Sequence, residues 1–169
     1  MPKTRLVCVL GACIVMMIGC DESTTEIAGS TQYSAVVNGA NEKPTAATST
    51  ATGFFSASLH PTSNTLSYSV TWTGLTGTVS GAHIHGPGDA NTVASVLVNF
   101  QALPVGSTNG AITTGASGSA SGNLNLGMAI NATVSGDSLK TLLNLGLLYV
   151  NVHTAANPGG EIRGQIAKQ

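Results

Sequence analysis

The sequence predicts an all-β domain, an antiparallel Greek-key sandwich or barrel with one short helix near residues 136–145. Three observations predict it. After residue 30 the chain breaks into short segments in which apolar and polar residues alternate, the period of a half-buried strand. Clusters of Gly, Pro, Asn and Ser separate these segments at the spacing of antiparallel connections. Charged residues make up 8% of the 169 residues, against about 25% in an average globular chain. A composition rich in Gly, Ser, Thr, Ala and Val suits strands and turns better than ion-paired helices. With a net charge of −1 the chain carries no basic patch for nucleic acid, and none is expected as a partner.

The amino terminus is set apart from the domain. Lys3 and Arg5 precede an apolar run from Leu6 to Ile18, the pattern of a secretory signal. The run is shorter than the about 20 residues that a membrane span needs. It ends in Met17-Ile18-Gly19-Cys20, which resembles a bacterial lipobox, with Met17 where that pattern usually has Leu. The resemblance implies a signal peptide over residues 1–19, cleavage before Cys20 and lipidation of Cys20. The partner would then be a membrane, reached through the acyl anchor, and the location the bacterial cell envelope, on the periplasmic or the surface side. An ordinary secretory signal with an incidental Cys is the alternative. Residues 20–30 read as the lipidated Cys and a polar tether, and residues 31–169 as the domain. Cys8 and Cys13 fall in the signal, so the mature domain has no thiol for a disulfide or a zinc-thiolate site.

Within the domain, "TQYSAVVNG" is a first strand stopped at Asn38-Gly39. "ATGFFSASLH" places Phe55, Ala57 and Leu59 on one face and ends at His60-Pro61. "TLSYSVTW" places Leu66, Tyr68, Val70 and Trp72 on one face, with Trp72 expected in the core. "TVSGAHIHG" stops at Gly86-Pro87-Gly88, "TVASVLVNF" is a further apolar strand, and "MAINATV" is read as another. Residues 106–122 are too rich in Gly, Ser and Thr to assign. In "SGDSLKTLLNLG", Ser135 or Asp137 caps a helix carrying Leu139, Leu142 and Leu143, closed by Gly146. "LLYVNVHT" and "GGEIRGQIA" are the last two strands, and Glu161 and Arg163 are expected to pair with each other or with the preceding turn.

The candidate chemistry lies in the histidines. Residues two apart on a strand share a face, so His83 and His85 point one way and Ile84 the other, into the core. In the penultimate strand His153 shares a face with Tyr149 and Asn151, opposite Leu148, Val150 and Val152. Three neutral imidazoles converging on one point would suit copper or zinc, and their nitrogens would then lie within about 4 Å of one another. The same spacing also describes three unrelated solvent-facing histidines. Their separation in three dimensions decides between the two. Other chemistries lack their residues: no G-x-S-x-G elbow, no phosphate loop, and only seven acids in the whole chain from which to build a glycosidase pair.

Two resemblances bear on that choice. "GAHIHGPGDANTVASVLVNF" and "LLYVNVHTAANPGGEIRGQI", with "VNGANEKPTAATSTATGFFSASL" and "LSYSVTWTGLTG", resemble the CHRD domain, named after chordin, over roughly residues 31–168. The family implies a secreted or anchored extracellular domain, and a protein or glycan partner of unknown identity. "GAHIHGPGDANT" is also similar to the H-x-H segment of copper/zinc superoxide dismutase. That likeness implies copper on His83, His85 and His153, and the fold is expected to be either superoxide-dismutase-like or immunoglobulin-like. The chain departs from it in lacking the zinc-ligand histidines, the bridging imidazole and the disulfide cysteines. Its one spare histidine, His60, stands at a turn. Three functions follow: an anchored domain binding one copper or other transition-metal ion, a non-catalytic binding or adhesion module with structural histidines, and a copper-dependent dismutase.

Overall fold

A computed structural model describes residues 29–169. The expected signal peptide, the expected lipidation site Cys20 and the expected tether up to residue 28 lie outside the described residues. Ten strands form one antiparallel sheet: β1 (Thr31–Asn38), β2 (Thr52–His60), β3 (Thr65–Thr73), β4 (Val79–His85), β5 (Val96–Asn99), β6 (Thr108–Ile112), β7 (Gly118–Asn125), β8 (Tyr149–Thr154), β9 (Ile162–Gln165) and β10 (Ala167–Lys168). Their order is β5-β4-β8-β9-β1-β2-β3-β7-β6, with β10 also on β1. The meander β1-β2-β3 is followed by three crossings between the two ends of this order, from β3 to β4, from β5 to β6 and from β7 to β8. The sheet curls, so its halves share one core. Phe100, just after β5, stacks on Tyr68 of β3 with ring centroids 4.5 Å apart. Leu66, Val70 and Leu124 from one half join Ile84, Val150 and Val152 from the other in a single buried cluster.

The alternations in β2 and β3 are those expected, with Phe55, Ala57, Leu59, Leu66, Tyr68, Val70 and Trp72 all buried. The indole N–H of Trp72 donates to the carbonyl of Gly115 at 3.0 Å. The expected helix is α1 (Gly136–Asn144), capped by Ser135, whose Oγ accepts from the Ser138 amide. Leu139 and Leu143 are fully buried, and the Gly146 amide closes the last turn onto the Leu143 carbonyl.

Two expectations are corrected and two open readings are resolved. "MAINATV" forms no strand, because Asn131 Oδ1 accepts from the amides of Thr133 and Val134 and folds the segment into a turn. "TVASVLVNF" pairs only from Val96, because the carbonyls of Thr92 and Ala94 are spent on Arg163 and His85. The unassigned stretch 106–122 holds the β6–β7 hairpin, whose small polar residues gave no alternation to read. Glu161 and Arg163 do not pair with each other, the one ion pair among the described residues joining Lys140 and Asp137; Glu161 takes the other alternative and accepts from Asn157 Nδ2 of the preceding turn at 3.1 Å.

Candidate metal centre

Register builds the site. In the β4–β8 ladder His83 stands opposite Asn151, His85 opposite Tyr149 and Gly81 opposite His153. The three histidines therefore fall on one face of two neighbouring strands, with Ile84, Val150 and Val152 beneath them in the core. Ring centroids are 4.9 Å apart for His83 and His153, 5.5 Å for His83 and His85 and 5.8 Å for His85 and His153. One nitrogen from each ring lies within 4.8 Å of the others. This is wider than the roughly 4 Å expected of a closed site. Three nitrogens bound to one ion by bonds of about 2.0–2.1 Å stand roughly 3.3–3.6 Å apart, so small ring rotations separate this arrangement from a closed one.

Two backbone carbonyls fix two of the rings. His85 Nδ1 lies 2.9 Å from the Ala94 oxygen, and His153 Nδ1 lies 3.0 Å from the Pro158 oxygen. A carbonyl only accepts, so each Nδ1 carries the proton and each Nε2 keeps its lone pair. This is how metal-binding imidazoles are commonly oriented from behind. His85 Nε2, His153 Nε2 and His83 Nδ1 are all buried and have no hydrogen-bond partner. An unpartnered buried polar atom costs about 1–3 kcal/mol, and here three of them occur in one cluster. Burial also lowers all three imidazole pKa values. That of His83 falls to about 4, pushed down further by its two neighbours, while carbonyl bonds partly oppose the fall at His85 and His153. The rings are therefore neutral near pH 7, the state in which imidazole binds a metal.

The sequence did not show what surrounds these rings. A Cβ on Gly81 would lie 2.7 Å from His83 Cε1, so only glycine there lets the His83 ring fold back over its own strand. Tyr149 stacks on His85 at 4.9 Å and 6°, and its hydroxyl meets the Ala94 backbone. Asn151, read as part of an open polar face, is 3% exposed. Its Nδ2 donates to Glu42, a buried carboxyl that burial pushes up to about 7. Gly160, at φ 130°, packs against both, where a Cβ would lie 2.6 Å from Asn151. Glu161 is fully buried and accepts from Ser49, Thr76, Thr154 and Asn157. Desolvation works to raise its pKa, but the hydrogen bonds prevail and hold it down at about 2. His60 is not in the cluster. It ends β2 and lines a groove with Ser63 and Asn123, so no four-histidine set is assembled.

A family model for the CHRD domain matches residues 33–166. The chain belongs to the CHRD domain family. No curated protein matches the sequence. In this CHRD domain both segments that carried the resemblance converge on the histidines: A-H-I-H-G-P supplies β4 and its turn, and Y-V-N-V-H-T supplies β8. The cluster of His83, His85 and His153 is a side-chain set able to hold a metal ion.

Proposed function

We propose that this CHRD domain binds one transition-metal ion, copper first, through His83, His85 and His153. We propose further that an acylated Cys20 anchors it to a membrane of the bacterial cell envelope, on the periplasmic or the surface side. The carrying observation is the set of three buried, partnerless imidazole nitrogens, two of them presented by protonated Nδ1 atoms on backbone carbonyls. Three neutral nitrogens suit copper and zinc, and copper stands above zinc in the affinity order of divalent ions. A bound ion would supply Lewis acidity and, if copper, one-electron chemistry. The chain's own contribution is to keep the rings neutral and to orient two of them from behind, His85 through the Ala94 carbonyl of the 86–95 loop and His153 through Pro158.

The test is metal uptake. The full chain, stripped with chelator and offered Cu(II) or Zn(II), is expected to retain about one equivalent after gel filtration. The His83→Ala/His85→Ala double variant is expected to retain none. Uptake unchanged in the double variant would remove the proposal. The metal-free double variant is expected to stay folded and to lose about 1–3 kcal/mol, because the lost His85 contacts with the Ala94 carbonyl and Tyr149 are partly offset by removing two buried nitrogens that lack partners. Urea unfolding thus separates lost binding from lost structure. The anchor is tested separately, by mass spectrometry of the amino-terminal peptide for acyl chains on Cys20 and by their absence in Cys20→Ala.

A further inference from the structure

Arg163 raises a separate question. It lies on β9 opposite Asn151 and is 2% exposed. Nη2 donates to the carbonyls of Asp89 and Thr92, both at 2.9 Å, and the guanidinium carbon lies 3.5 Å from the centroid of the Tyr149 ring. Neither Nε nor Nη1 donates to any of the described residues, and no carboxylate forms an ion pair with this cation. The nearby acids are engaged elsewhere. Asp89 accepts from the Asn91 amide and Thr92 Oγ1, Glu42 from Asn151, and Glu161 from its ring of donors. A buried charge without a counter-charge is costly, and carbonyls with an aromatic face offset only part of that.

Beside the guanidinium is a cavity of about 170 Å³, lined by Arg163, Lys43, Asn41, Asn91, Gln165 and Ala90. Its walls hold two cations and three amides and no acidic side chain. Held by two carbonyls at Nη2 and stacked on tyrosine, the planar guanidinium keeps Nε–H and the Nη1 hydrogens as single donors in fixed directions, each able to meet one oxygen of a small anion. We propose that this cavity binds a small carboxylate, received by Arg163 with Lys43 as the second cation and the Asn91 amide as a further donor, while the amide nitrogens of Asn41 and Gln165 stay on backbone carbonyls. The proposal stands apart from the metal reading, since none of the lining residues is a histidine.

Acetate, acetamide and inorganic phosphate are each titrated into the chelator-treated full chain. The Arg163 Nε–H and the three side-chain amides are followed by ¹⁵N NMR. Acetate is expected to give saturable shifts at these groups, and acetamide, which has the same shape without the charge, to give none. Lys43→Gln is expected to weaken acetate several-fold, and Arg163→Lys by about an order of magnitude through loss of the fixed Nε–H and Nη1–H donors. Because Arg163 also holds the Asp89 and Thr92 carbonyls, its variant could fail to fold, and Ala90→Glu supplies an independent arm. An internal carboxylate there is expected to abolish the acetate response and raise Tm. Equal responses to acetate and acetamide, shifts that never saturate, or affinity unchanged in Lys43→Gln would identify a water-filled cavity and overturn the proposal. Preference for phosphate would overturn the assignment to a carboxylate.

Discussion

The two halves of the sheet carry the same alternation and meet opposite fates. Across β1-β2-β3-β7, Ser34, Ser56, Ser69 and Ser121 stand in one cross-strand row on the outer face, exposed or half-exposed. Across β4-β8-β9 the corresponding face carries His83, Asn151 and Arg163 in one row and His85, Tyr149 and Gln165 in the next. Here Tyr149, Asn151 and Arg163 are buried. Loops make the difference. The 39–49 segment brings Asn41, Glu42 and Ser49 against Arg163, Asn151 and Glu161. The 86–95 segment supplies carbonyls to Arg163, Gln165 and His85. A polar strand face under such a cover must satisfy every donor and acceptor internally, and the groups left over are candidates for ligand binding.

The largest effect expected from breaking this contrast is at Glu161. Glu161→Ala strips a buried carboxylate from donors on Ser49, Thr76, Thr154 and Asn157. It is expected to cost roughly 3–5 kcal/mol in urea unfolding. A cost below about 1 kcal/mol would mean that water replaces the carboxylate freely and that the face is not sealed.

A smaller effect separates two buried acids of opposite sign. Glu161 is held at about 2 against an ordinary 4.5, so its contribution is complete above pH 4.5 and is lost as the pH falls toward 2. Glu42 is raised to about 7. Between pH 4.5 and 7 the unfolded chain releases that proton while the folded chain keeps it, so Glu42 makes stability fall as pH rises through this window. Glu42→Gln is expected to remove that fall. Urea midpoints of wild type and variant are expected to diverge from pH 4.5 to 7 and to keep a constant difference above it. Parallel profiles across the window would show Glu42 ionised in the fold.

The smallest effects belong to the open half. Ser56→Ala and Ser69→Ala are expected to stay within about 0.5 kcal/mol of wild type. A larger loss at either would show that this face, too, is covered.

Legibility in the sequence followed the same division. Strands with one wet face, β2 and β3, were readable because burial and alternation agree there. The α1 boundaries were readable from Ser135 and Gly146. Strands β6 and β7 were not, since Gly and Ser leave no periodic apolar signal. The histidines' common face followed from their spacing, but their convergence depends on the β4–β8 register, which no local pattern specifies. The role of Arg163 was misread because Glu161 is its near neighbour in sequence. Glu161 stands just before β9 and takes hydrogen bonds from Thr154 and Thr76, while the 86–95 loop takes Arg163. Glu42, the Ala94 and Pro158 carbonyls and the need for glycine at position 81 had no signal of their own, because each acts through a partner far away in the chain.

The most direct test of the metal centre is X-ray absorption at the copper or zinc edge of the full chain loaded with one equivalent. The spectrum is expected to show the outer-ring scattering of three imidazoles, reduced to two in His153→Ala. A first shell without imidazole scattering, or one unchanged in that variant, would contradict the assignment of His83, His85 and His153 to one ion.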